Sequence, residues 1–63
     1  MQVNGKQLDL DNITITALLE QYQLSADNVV IELNAEIVPK EQFNQKLIYQ
    51  GDQVEIVSLF GGG

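Results

Sequence analysis

Gly61, Gly62 and Gly63 are the residues of this sequence with the clearest chemical use. Three glycines in a row present no side chain, so they can pass along a channel too narrow for any other residue. The group such a thread would deliver is the carboxylate of Gly63. A thread this thin can present that carboxylate to a buried active site. Extended from Phe60, the run reaches roughly 13 Å at about 3.3 Å per residue. A bulkier residue at position 62 or 63 would meet the channel wall. A glycine run is also what a frayed terminus or a linker leaves behind. Its meaning therefore depends on the elements that hold it.

The rest of the chain offers little to catalysis. It has no cysteine and no histidine. That removes disulfides, the usual zinc ligands and any Cys/His or Ser/His nucleophilic dyad. Asp9 and Asp11 stand where the first ligands of a calcium loop would, but Ile13 takes the fifth position and no glycine holds the sixth. Both acids suit the approach to a helix N-terminus instead. Glu32, Glu36, Glu41 and Glu55 have no spacing that marks a catalytic pair, and exposed carboxylates ordinarily serve solubility. Thr14, Thr16, Ser25 and Ser58 lack a histidine to activate them. Tyr22, Phe43 and Tyr49 read as core or rim residues. No glycine-rich loop joins a strand to a helix, so no nucleotide fingerprint is present. We expect no catalytic residue, no bound cofactor and no metal ligand.

Composition sets the frame. The 63 residues make one domain, which buries only about 60% of the surface its unfolded chain exposes. The apolar fraction, 44%, is that of an ordinary globular protein, so the chain should fold rather than stay disordered. The formal net charge is −6, with Lys6, Lys40 and Lys46 the only cations. Nucleic acid and anionic membrane surfaces would repel such a chain. A basic protein surface would attract it. No stretch is long and apolar enough to span a bilayer, and the start lacks the pattern of a signal peptide. The expected location is cytoplasmic.

The elements follow from local signals. Asn4-Gly5 between "MQV" and "KQLDL" reads as a hairpin turn, with Val3, Leu8 and Leu10 facing inward. Ile15, Leu18, Leu19 and Tyr22 form one helical stripe, predicting a helix over about 15–23. Thr14 is its N-cap, and Ile13 with Leu18 has the spacing of a hydrophobic staple. "SADN" is a polar connection. Val29–Leu33 is a β-branched strand. "NAE" turns the chain into a short strand at Ile37-Val38, which Pro39 ends. "PKEQFNQK" is a loop or single helical turn with Phe43 in the core. "LIY" is a short strand, and Gln50-Gly51-Asp52 a turn. "QVEIVSLF" is the last strand, with apolar residues on both faces, as expected of a strand covered on both sides.

A helix after a hairpin must lay its stripe on one sheet face. The economical arrangement is α+β, a mixed sheet of four to five strands on one main helix, with the last strand central beside the first. That is the β-grasp, or ubiquitin-like, fold. The domain should occupy residues 1–60, with 61–63 as a glycine tail.

The chain resembles the ThiS family, the ubiquitin-like sulfur carriers of thiamin biosynthesis. The likeness runs through "VNGK", "TALLEQYQL", "LNAEIVPKEQF" and the closing "GDQVEIVSLFGGG". It implies that a ThiF-like adenylating enzyme uses ATP to activate Gly63. Sulfur from a persulfide donor would replace AMP to leave a thiocarboxylate, which thiazole synthase would consume. Gly61 and Gly62 would thread the partner's channel, and Phe60 and Leu59 would lie near its mouth, although core packing is the favoured reading of Leu59. The family's sulfur rides on the chain terminus, which fits a chain without cysteine. A molybdopterin-synthase small subunit shares the fold and the ending, but is usually longer with a proline-rich approach to its glycines. A ubiquitin-like modifier joined to lysines, or an interaction module with incidental glycines, are further alternatives.

Overall fold

The computed structural model describes residues 1–59. Strands β1 (Gln2–Val3) and β2 (Lys6–Gln7) form the opening hairpin. Asn4 and Gly5 both sit at positive φ, 51° and 82°, as a type I′ turn requires. Strand β3 (Ile13–Thr14) leads into helix α1 (Ile15–Gln21). Thr14 caps the helix: its Oγ1 accepts from the Ala17 N–H at 3.1 Å. Strand β4 (Val29–Leu33) and strand β5 (Glu36–Ile37) form a second hairpin. A single 3-10 turn, Lys40–Gln42, follows Pro39 and leaves Phe43 buried. Strands β6 (Leu47–Ile48) and β7 (Gln53–Ser58) complete the chain.

The main sheet has the order β2-β1-β7-β4-β5. β7 runs parallel to β1 and antiparallel to β4. The β-grasp arrangement is therefore present, with the last strand central. β6 does not join this sheet. It pairs with β3 in a separate two-stranded ladder, Ile13 opposite Ile48 and Thr14 opposite Leu47. That ladder pins the start of the helix to the second half of the chain.

The helix stops at Gln21, two residues before the predicted end at Gln23. Gln23 takes the left-handed conformation, φ 58°, and its N–H and that of Leu24 bond back to Glu20 and Leu19. These are the two bonds of a Schellman motif, made here without the usual glycine. Tyr22 caps the helix and is 41% exposed, so the predicted stripe buries Ile15, Leu18 and Leu19 but not its last member.

The core is wholly apolar among the described residues. It joins Met1, Val3, the helix stripe, Val29, Ile31, Leu33, Val38, Phe43, Ile48 and Val54. Leu8, Leu10, Ile13 and Ile56 pack half-buried against it. Asp11 does more than precede a helix, since its Oδ1 accepts the Gln50 N–H at 2.7 Å.

The turn between β4 and β5 is built on Asn34 and Ala35, both at positive φ, 52° and 71°. Alanine carries a Cβ that this conformation crowds, at a cost of about 1 kcal/mol. Replacing Ala35 with glycine should raise stability by about that amount. A higher urea midpoint at unchanged slope is the expected reading; an unchanged or lower midpoint would show that the turn relaxes around the Cβ.

Candidate functional site: the end of the central strand

β7 is the element that holds the chain's final residues, and its surroundings explain its central place. On one side its odd-numbered residues bond to β4, and the pairing continues one residue past the strand, where the Leu59 N–H donates to the Asn28 carbonyl at 2.8 Å. On the other side β1 ends at Val3, opposite Val54. The Asn4 side chain then takes over the ladder. Its Oδ1 accepts the Ile56 N–H at 2.7 Å and its Nδ2 donates to the Ile56 carbonyl at 3.2 Å. An asparagine in a hairpin turn thus fastens the first hairpin to the last strand. The sequence reading assigned Asn4 only to the turn.

At the other end of β7 a polar latch joins two turns. Asp52 accepts from the Tyr49 N–H at 2.9 Å and from the Asn34 amide at 3.1 Å, and Asn34 accepts the Gln53 N–H at 3.0 Å. The Tyr49 N–H, then the Asn34 amide, hold the Asp52 carboxyl below its usual pKa against a smaller opposing effect of burial. A group whose folded pKa is lowered contributes stability above its unfolded pKa, about 3.9, and loses it as the pH falls through the folded value. Asp52→Asn should therefore flatten the acid dependence of stability below about pH 5. Urea midpoints of the two proteins measured across that range test this; parallel curves would show that the latch makes no titrating contribution.

The strand faces differ in a way the sequence did not reveal. Val54, Ile56 and Ser58 turn toward the helix side, whereas Gln53, Glu55, Val57 and Leu59 turn outward. Val57 is 49% exposed and Leu59 55% exposed. The expectation that β7 is covered on both faces is incorrect: among the described residues, no layer packs on the outer face. The core reading of Leu59 is corrected with it, because period-two alternation sends that side chain away from the helix. Ile37, on the edge strand β5 and opposite Glu32 of β4, is also exposed. Glu32 and Glu55 lie directly opposite each other in the β4–β7 ladder. Like charges in that position are mildly destabilising in the free protein. The outer face therefore offers apolar side chains and two carboxylates to whatever docks there. Apolar residues gathered on an exposed face commonly mark an interaction surface.

Phe60, Gly61, Gly62 and Gly63 lie outside the described residues. The structure thus places Leu59, of the residues selected from sequence, and the strand that leads to the others. Among the described residues no cluster of three or more acidic side chains is arranged to hold a metal ion. No helix among them is long and apolar enough to cross a membrane.

Comparison with known proteins agrees with this architecture. The family model "ThiS family" matches residues 1–63. The chain is 40% identical over 65 residues to Sulfur carrier protein ThiS of Bacillus subtilis, covering all of this chain and 98% of that protein. It is 37% identical over 62 residues to a Thiazole synthase of Paramagnetospirillum magneticum, covering 97% of this chain but only 19% of that protein. The crystal structure of thiamine biosynthesis protein ThiS from Geobacter metallireducens superposes with a TM-score of 0.79 at 35% identity, over 98% of this chain and 96% of that one. With the β-grasp topology, a full-length family match and full-length relatives all in agreement, this chain belongs to the ThiS family.

Proposed function

We propose that this chain is the sulfur carrier of thiamin biosynthesis and carries its sulfur as a thiocarboxylate on Gly63. The observation that carries the reading is the end-to-end likeness to a sulfur carrier protein, which includes the final strand. The fold supports it. β7, the strand that leads toward the glycines in sequence, is held by backbone pairing on one side and by β1 and Asn4 on the other.

In this reading the chain is a co-substrate rather than an enzyme. A ThiF-like adenylating enzyme joins the Gly63 carboxylate to AMP from ATP, with release of pyrophosphate. The terminal sulfur of a persulfide donor then displaces AMP to form an acyl disulfide, and a thiol cleaves its S–S bond, leaving as a disulfide and releasing the Gly63 thiocarboxylate. Gly61 and Gly62 fit the channel because neither has a side chain. The outer sheet face, with Val57, Leu59, Glu32 and Glu55, docks the activating enzyme, and Phe60 lies at the channel mouth. Thiazole synthase is the acceptor. The likeness of this chain to a fifth of one Thiazole synthase supports that partner, since it joins a carrier-like segment to a synthase in one polypeptide. The cycle is placed in the cytoplasm, where ATP is available.

The test is the intact mass of the protein purified from thiamin-starved cells that retain their partner enzymes. A fraction heavier by the exchange of one oxygen for one sulfur, mapped to Gly63, is the expected result. A wholly unmodified chain, or a tail found joined to a lysine of another protein, would overturn the reading.

A further inference from the structure

One edge of β7 is left open next to the tail. Successive residues of a strand point their backbone groups to alternate sides. Val57 and Leu59 bond toward β4, so Ser58 turns its N–H toward the β1 side, as Ile56 does. There β1 has already ended, and Asn4 reaches only as far as Ile56. The Ser58 N–H has no partner among the described residues. An open strand edge of this kind accepts an added strand.

A groove of about 380 Å³ lies beside that edge. Val3, Ile56, Tyr22 and Leu24 supply its apolar walls, with Lys6 and Ser58 at its border. Tyr22, the C-cap of the helix, is exposed and lines this groove together with Val3 of β1. Lys6 is one of only three cations in a chain of net charge −6, and it makes no ion pair among the described residues. The groove therefore brings together an apolar slot, the positive charge of Lys6 and Ser58, whose backbone donor is open.

Resting on the function proposed above, we propose that the enzyme that activates Gly63 lays an extended segment along this edge. It adds a strand to β7 at Ser58, places an apolar side chain between Tyr22 and Leu24, and sets a carboxylate against Lys6. The added strand clamps the base of the tail on the side where the carrier's own sheet has run out. The tail then enters the active site from a fixed origin, which lowers the orientational cost of presenting Gly63. This surface is distinct from the outward face of Val57 and Leu59.

Ser58→Pro removes the N–H that the added strand needs, and it spares β4, which pairs through Val57 and Leu59. Lys6→Glu reverses the exposed charge without touching the core. ATP–pyrophosphate exchange catalysed by the purified activating enzyme is measured against carrier concentration, with circular dichroism melting of each variant alongside. The expected result is a rise in KM of about tenfold or more for Ser58→Pro. A smaller rise for Lys6→Glu, shrinking at high salt, is expected with it. Wild-type KM in both folded variants would overturn the strand-addition proposal alone. Exchange absent with the wild-type carrier would overturn it together with the proposed function. A wild-type dimer that Ser58→Pro dissolves would reassign the edge to a second copy of the chain.

Discussion

Gly62→Val is expected to abolish adenylation of Gly63 while leaving the fold intact. Over residues 1–59 the apolar core is assembled without position 62, so the valine is expected to leave the fold in place. Its branched side chain widens the thread at the point where the partner's channel must be narrow to exclude water from an acyl-adenylate. It also restricts the backbone to a smaller set of conformations. Both effects fall on the bound state, so activation should drop by about two orders of magnitude or more, comparable to misplacing a reacting group by an ångström. The measurement is ATP–pyrophosphate exchange with matched melting curves. Exchange at the wild-type rate would remove the threading argument, because a channel that accepts valine has no need of glycine. Gly62→Ala grades the effect: a small side chain should slow exchange without stopping it.

The fold was legible in the sequence wherever a local signal had one strong physical cause. Asn4-Gly5 named its turn because positive φ at two successive residues is costly for almost any other pair. Thr14 named the helix start, and the apolar run Val29–Leu33 named its strand. From these, the central place of β7 followed by elimination. Features that depend on tertiary pairing were not legible. The ladder of Ile13–Thr14 with Leu47–Ile48 joins two short segments more than thirty residues apart, and neither carries a mark of the other. The turn at Asn34-Ala35 hides behind an alanine that local preference would exclude. Apolar residues on both faces of β7 were read as cover on both faces. The same pattern describes a strand whose second face awaits a partner, and sequence alone does not separate those cases. For the site, the glycines and Leu59 were visible because they end the chain, whereas Asn4 and the groove under Tyr22 arise only when the hairpin is docked on β7.

The second large effect is expected in the core. Ile31→Ala should unfold much of the protein under conditions where the wild type is folded. Ile31 is fully buried at the centre of β4, opposite Ile56 of β7. Truncating such a side chain costs about 2–5 kcal/mol, the loss being larger where neighbours cannot collapse into the cavity. A domain of this size has a total stability of about 3–9 kcal/mol at the usual figure per residue. It has no disulfide to fall back on. One substitution therefore removes a large share of the whole. Val57→Ala removes apolar atoms from the same pair of strands, but from the exposed outer face, and should shift stability by about 0.5 kcal/mol or less. If the outer face docks the activating enzyme, Val57→Ala should instead raise the KM for activation. Urea denaturation and pyrophosphate exchange on the two variants then separate what holds the fold from what the fold presents. An Ile31→Ala protein that melts within a few degrees of the wild type would mean that the core repacks freely. A Val57→Ala protein with unchanged exchange would leave the outer face without a role in activation.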